Sequence, residues 1–334
     1  VNDTAANQKE PTMAKHIDVL LLCALPASGK SEVRRYLASL SPEECEQQFG
    51  IGETVQLDDY PYVHMMRRVS QELRALGEDP VFFDADNLPM KEPLDWGTLT
   101  ELLNRDFRDL VTGTRPEPHL AIDWLLERFD DCRATVGADR FLDTLSPEVR
   151  AKLREILEPE ARDLLEKKNA GVPETLDGKT VVIEFARGGR QGSSMPLPDP
   201  WGYQYTLRVL SEEILEKAAL LYIWVTPEES RRKNEERADP NDPGSILHHG
   251  VPIEVMLNDY GTDDMAYLLE TSGRPNTIEI HAHGRTFFLP VGRFDNRVDR
   301  TTFIRKPQQE WTDEEIAALR AGLREAFDQI FSHL

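Results

Sequence analysis

Gly29, Lys30 and Ser31 lie within the stretch "ALPASGKSEV" (residues 24–33). It fits the phosphate-cradling pattern G-x-x-x-x-G-K-[ST] at every fixed position but the first, where Ala24 stands. A loop of this kind has a physical reason to bind phosphate. A chain turning tightly from a strand into a helix points several backbone N–H groups inward, and the helix N-terminus adds partial positive charge. Ala27, Ser28, Gly29, Lys30, Ser31 and Glu32 would then surround a phosphate chain. Lys30 would reach the β- and γ-phosphates, and the Ser31 hydroxyl would sit on Mg²⁺. A side chain at position 29 would crowd the phosphate. Alanine at position 24 adds one methyl and forbids only conformations that need positive φ. Pro26, Ala27 and Ser28 keep the loop small.

Other stretches carry groups that such a loop needs. "QLDDYPY" (56–62) follows a short strand and puts Asp58 and Asp59 side by side, although Asp-Asp-Tyr-Pro is also good turn chemistry. "VVIEFARGGR" (181–190) is a buried strand holding an acid near its end, the arrangement in which a carboxylate orients Mg²⁺. Glu184 is that acid. Arg187 and Arg190 follow in a glycine-containing loop, either to meet phosphate or an acidic substrate or as a surface pair. "ESRRKNEERADP" (229–240) concentrates Arg231, Arg232, Lys233 and Arg237 on a charged helix, whose glutamates could equally pair with them. His248 and His249 read as exposed loop residues. His281 and His283, in "HAH", share a strand face but have no third ligand nearby.

Together these stretches resemble P-loop kinases that act on small molecules, of the uridine kinase and nicotinamide riboside kinase-like type within the P-loop nucleoside triphosphate hydrolase superfamily. The loop is similar to their "LPxSGKS" loops, and the resemblance covers roughly residues 17–110 and 179–300. It implies that Asp58 or Asp59 takes the acceptor hydroxyl's proton or holds it in line, and that Tyr60 lines the pocket. The segment 82–107 is similar to one that flanks the acceptor in uridine kinases, through Phe83, Asp84, Pro93, Asp95, Trp96, Leu102 and Leu103. Asp95 is then a substrate contact, or simply a helix N-cap. Arg231, Arg232, Lys233 and Arg237 would form a lid over the phosphates. The loop after the last strand, with Arg293, Asp295 and Asn296, would hold adenine through its backbone or be a plain turn. The expected activity is ATP- and Mg²⁺-dependent transfer of the γ-phosphate to a hydroxyl of a small, possibly nucleoside-like molecule. Two alternatives stay open: a nucleotide-binding ATPase or switch with a partner-binding helical insertion, and a polynucleotide-end kinase.

These residues need elements to position them. Buried apolar runs at 17–25, 54–57, 179–185 and 219–225 alternate with helical patterns, which predicts an α/β fold with a mostly parallel sheet. The resemblance makes it a P-loop NTPase three-layer sandwich. Residues 1–15 read as a flexible leader, 16–112 as the first part of the core, 113–176 as a helical insertion and 177–334 as the second part, with lid and C-terminal helix. That last helix carries a capping box, Thr312 with Glu315, and the stripe Ile316, Leu319, Leu323, Phe327 and Ile330. Of 334 residues, 40% are hydrophobic, enough for a sizeable core. A net charge of −21 argues against a nucleic acid or anionic membrane partner. No apolar run reaches bilayer length. Three widely spaced cysteines point to a reducing compartment, hence a cytoplasmic expectation. An N-K-x-D guanine motif is absent.

Overall fold

The computed structural model describes residues 16–237 and 250–334. Strand β1 (Val19–Cys23) leads through a short loop into α1 (Lys30–Ala38). Then come α2 (Pro42–Phe49), β2 (Glu53–Asp58), α3 (Tyr60–Ala75) and α4 (Asp95–Thr112). The next pair, α5 (Ala121–Thr135) and α6 (Pro147–Ala170), precedes β3 (Lys179–Phe185). The chain continues with α7 (Gly202–Val209), α8 (Glu212–Leu215), β4 (Ala218–Trp224), α9 (Pro227–Arg237), α10 (Ile253–Asn258) and α11 (Met265–Thr271). The hairpin of β5 (Thr277–Ala282) and β6 (Arg285–Asp295) and the long α12 (Asp313–Phe331) complete it.

The six strands form one sheet in the order β2-β3-β1-β4-β6-β5, parallel except for β5 against β6. Every residue of β1 is buried, as expected for a central strand covered on both faces. Alternate side chains serve opposite layers. Val19, Leu21 and Cys23 pack with Leu103, Phe107, Leu207 and Met265 of α4, α7 and α11. Leu20 and Leu22 pack with Val33, Phe49, Leu323 and Phe327 of α1, α2 and α12. The α/β class and the mostly parallel sheet are therefore as the sequence implied. Among the described residues no helix is long and apolar enough to cross a membrane.

The segment read as an insertion builds its own core. Leu125 and Phe129 of α5 and Leu153 and Leu157 of α6 close over Met65, Met66 and Val69 of α3 and Leu99 of α4. The α6 helix runs through Pro159 without ending there. α7 and α8 do not run on as one helix, because Leu210 turns extended at ψ 142. Asn104 holds that break: its Nδ2 donates to the Val209 carbonyl at 2.9 Å, and its Oδ1 accepts from the Ser211 N–H at 2.8 Å. Helix α3 begins directly after Asp59. Pro61 sits in its first turn, where a missing N–H costs nothing. That start places Asp58 and Asp59 at the junction of β2 and α3.

Candidate functional site

The carboxyl ends of β1, β2 and β3 lie side by side, and ligand sites of open parallel sheets form outside such ends. The β1 end supplies the loop. Ala27 takes φ 55 and Gly29 φ 109, a left-handed pair that curls the backbone before α1. The Ser28 hydroxyl donates to the Leu25 carbonyl at 2.7 Å and tightens the turn. Lys30 Nζ reaches back over the loop to the Ala24 carbonyl, 3.3 Å away. Ala24 is not among the positive-φ residues, so its methyl costs the turn no backbone strain. For Gly29 a second reason adds to the expected crowding of phosphate. A Cβ there would lie 2.6 Å from Thr301 Oγ1 and 3.0 Å from Asn296 Nδ2. Asn296 is fully buried and donates to the Ser28 carbonyl at 2.8 Å. It thus braces the loop from behind, a bracing role the sequence reading did not foresee.

The ends of β2 and β3 supply acids. Asp58 and Glu184 are direct register partners. Arg34, one turn beyond Lys30 on α1, hydrogen-bonds Glu184 and lies 3.7 Å from Asp58. One guanidinium therefore serves two carboxylates. Burial pushes the Asp58 carboxyl up to about 7, and the charges of Glu184 and Asp59 add to the rise; the Tyr60 N–H and Arg34 pull the other way. Burial lowers the Lys30 ammonium from its ordinary value, while Glu184, Asp59 and Asp58 favour its charge.

Asp59 has a different partner. It pairs with Arg187 at 2.6 Å, and Arg187 is only 2% exposed. The same guanidinium donates to Thr206 Oγ1 at 3.0 Å and to the Ala186 carbonyl at 2.8 Å, with Trp96 and Phe185 on its flanks. Arg187 is thus a buried tie between α4, α7 and the β2 end, with its donors used inside the protein. Asp59→Ala would strand that charge, and removing one member of a buried pair costs about 3–5 kcal/mol. A denaturant midpoint close to wild type would refute this structural role.

Loop and acids open on one cavity of about 160 Å³. It collects Ala27, Ser28, Gly29, Lys30, Ser31, Glu32, Asp58, Asp59, Tyr60 and Glu184, as the sequence reading expected. Its far wall is Val63, Arg67, Trp96, Val251, Pro252, Val255 and Tyr260. A roomier hollow of about 1060 Å³ runs along α12, but it is shallow and gathers no buried charge, so the chemistry is assigned to the smaller cavity.

Several expected site residues lie elsewhere. Asp95 is fully buried, bonded to Thr98 and Arg133, and burial pushes it up to about 6. It neither lines the cavity nor caps the helix, since Leu94 holds the N-cap position; its neighbour Trp96 lines the cavity instead. Glu32, at the cavity edge, is held by Arg305 at 2.6 Å. Arg190 is exposed and lines a separate hollow with Pro89 and Trp201. Arg231 pairs with Glu228, and Arg232 with Glu229 and Glu236, all on their own helix. Lys233 is buried against Asp299. None of these three lines the cavity. Arg237 ends α9, and its side chain lies outside the described residues, as do His248, His249 and residues 1–15. Arg293 lies over the Trp224 ring, and Asp295 pairs with Arg297. His281 bonds Thr286 and His283 bonds the Leu210 carbonyl. Among the described residues no group of three or more His, Cys, Asp or Glu could hold a metal ion.

Arg34, Arg67 and Tyr260 were not singled out from sequence. A signal existed for two of them: Arg34 is four residues from Lys30, and Arg67 follows Tyr60 by seven residues and Val63 by four, on one helix face. No family model, curated protein or solved structure matches the chain.

Proposed function

We propose that the protein is an ATP-dependent phosphotransferase of the P-loop kinase kind, moving a γ-phosphate to the hydroxyl of a small molecule. One observation carries the reading: Lys30 and the N–H-rich loop share a single cavity with Asp58 and Glu184. The first group suits a phosphate chain, and the second suits a cation and an acceptor hydroxyl. The loop N–H groups and Lys30 hold the phosphates and take up charge in the transition state. Ser31 and Glu184 suit Mg²⁺, which would neutralise phosphate charge when bound. Phosphate sites give this ion only one or two protein carboxylates, and Glu184 and Asp58 share one arginine, so acceptor oxygens remain for it. Asp58 rather than Asp59 handles the acceptor proton, because Asp59 is committed to Arg187. Catalysis is chiefly positioning and charge stabilisation.

The test is ADP release from ATP and Mg²⁺, with and without a panel of hydroxyl-bearing metabolites, run beside Lys30→Met. Acceptor-dependent release that the variant loses supports the kinase. Nucleotide binding without acceptor dependence favours an ATPase or switch. Absence of nucleotide binding sinks both. Ala24→Gly should leave ATP affinity unchanged and cost about 1 kcal/mol of stability, from lost burial and added chain entropy. Titration calorimetry and denaturant unfolding check the two halves, and a tenfold change in affinity would contradict the first.

A further inference from the structure

The cavity has two unlike halves. The half already described holds Lys30 and four acids, Glu32, Asp58, Asp59 and Glu184. The other is apolar and aromatic, with Val63, Trp96, Pro252, Val255 and Tyr260, and it contains one cation, Arg67. Trp96 and Tyr260 meet edge to face at 5.6 Å and form a firm wall.

Arg67 is held in place but not neutralised. Its guanidinium lies 3.9 Å from the centre of the Phe83 ring, and Nη1 donates to the Asp86 carbonyl at 2.8 Å. Those contacts fix one face and one nitrogen of the fork. Among the described residues Arg67 makes no ion pair. Other half-buried or buried arginines near the core do pair: Arg34 meets Glu184 and Asp58, Arg187 meets Asp59, Arg128 meets Asp106 and Asp109, and Arg133 meets Asp95. The half-buried Arg300 and Arg320 share its lack of an ion pair but do not line the cavity. With 60 acidic against 39 basic residues, this chain has carboxylates to spare. Asp259 acts on Arg67 electrostatically without pairing. Its Oδ2 accepts from the Met90 N–H at 3.4 Å, its Oδ1 has no partner, and burial pushes it up to about 7, so it is a weak counter-charge. Burial also holds Arg67 below its ordinary pKa. Asp86, the other acid that acts on Arg67, gives its carboxylate to Arg74. A desolvated guanidinium with free donors and no paired carboxylate is stabilised by an anion that enters the cavity.

We infer that Arg67 reads an anionic group on the acceptor, so the acceptor is a hydroxyl-bearing organic anion, a carboxylate or a phosphate monoester, and not a neutral nucleoside. This rests on the proposed phosphotransfer. Tyr60, Trp96 and Tyr260 pack the body of that molecule, and Asp58 meets its hydroxyl. Tyr60 and Arg67 are seven residues apart on α3, a rise of roughly 10 Å. The role expected from sequence for Arg187 and Arg190, meeting phosphate or an acidic substrate, passes to Arg67.

Steady-state ADP release tests this with paired acceptors: aliphatic and aromatic hydroxy acids beside their carboxamides, and alcohol phosphates beside the parent alcohols. The same compounds are titrated against tryptophan fluorescence with ADP present. Wild type, Arg67→Gln and Arg67→Lys are compared. The charged member of at least one pair should be preferred by about 10²-fold or more in kcat/KM, since a site built to bond a polar group rejects analogues lacking it. Arg67→Gln should erase the preference through KM for the acceptor, with KM for ATP unchanged. Arg67→Lys should keep part of it, having the charge without the fork. Which pair shows the preference separates carboxylate from phosphate. Equal or better use of neutral members overturns the inference and leaves the kinase standing. A raised KM for ATP in Arg67→Gln assigns the residue to nucleotide and also overturns it. If no acceptor releases ADP, the kinase reading fails and the titration decides: anion binding lost in Arg67→Gln retains the anion site, and no anion binding removes it.

Discussion

Lys30→Met is expected to lower phosphate transfer by at least 10²–10³-fold while leaving a folded protein, the loss seen when a single transition-state charge donor is removed. The fold should survive because Lys30 contributes little to it. Its ammonium is held below its ordinary pKa by burial, so the lysine bears a desolvation cost that methionine does not. Its hydrogen bond to the Ala24 carbonyl, at 3.3 Å, is long. The turn is held by other contacts, Ser28 to Leu25 and Asn296 to Ser28. A second effect follows from the acids. Lys30 is the cation on which Glu184, Asp59 and Asp58 all act. Without it, ionised Asp58 loses a favourable neighbour, and its pKa moves above about 7. Residual activity in the variant should therefore need a higher pH than the wild type needs. Transfer rates across pH, with an unfolding curve for each protein, check both parts. A variant that transfers phosphate at the wild-type rate would remove Lys30 from the chemistry.

What could be read from the sequence was what lies close together along it. Strand β1, the loop and α1 form one continuous stretch, and an apolar run, small residues and helical spacing mark them in turn. The β2 and β3 strands ended where the apolar patterns did, so Asp58 and Glu184 could be named, and only the sheet order makes them neighbours. The errors come from pairings between distant positions. Arg187 looked available for substrate because its partner Asp59 lies 128 positions earlier. Arg34 was not singled out, because its partner Glu184 lies 150 positions later. Gly29 had a reason beyond phosphate because Thr301 packs against it. The helix carrying Arg231 and Arg232 departed in the opposite way. Its glutamates sit three and four residues from its arginines, and these short-range pairs formed as helix geometry favours. Local charge pattern correctly described that helix, whereas the lid role was borrowed from resemblance.

Asp58→Asn should separate function from stability. An amide cannot take the acceptor's proton, so transfer should fall by about 10²–10⁴-fold, the usual worth of a general base. The same change should stabilise the protein above neutral pH. Asp58 has its native pKa raised from 3.8 to about 7 by burial and by Glu184 and Asp59. The native state therefore binds this proton more tightly than the unfolded chain does, and stability is lost as pH climbs between those values. Above about 7 the wild type carries the full cost of an ionised, crowded carboxylate, and the amide does not. At pH 5 the wild-type acid is protonated in the native state, and most of the advantage disappears. Asp259, raised to about 7, and Asp95 and Asp263, each raised to about 6, tilt the whole protein the same way, so wild type should also gain stability on acidification from pH 8 to 5.5. Activity runs opposite, because a base must be ionised. Its acid limb should fall below 7, since bound Mg²⁺ lowers the pKa of a nearby carboxylate. Unfolding midpoints at pH 5 and pH 8 decide the matter: equal gains at both would mean that Asp58 is not the titrating group, and undiminished transfer would mean that it is not the base.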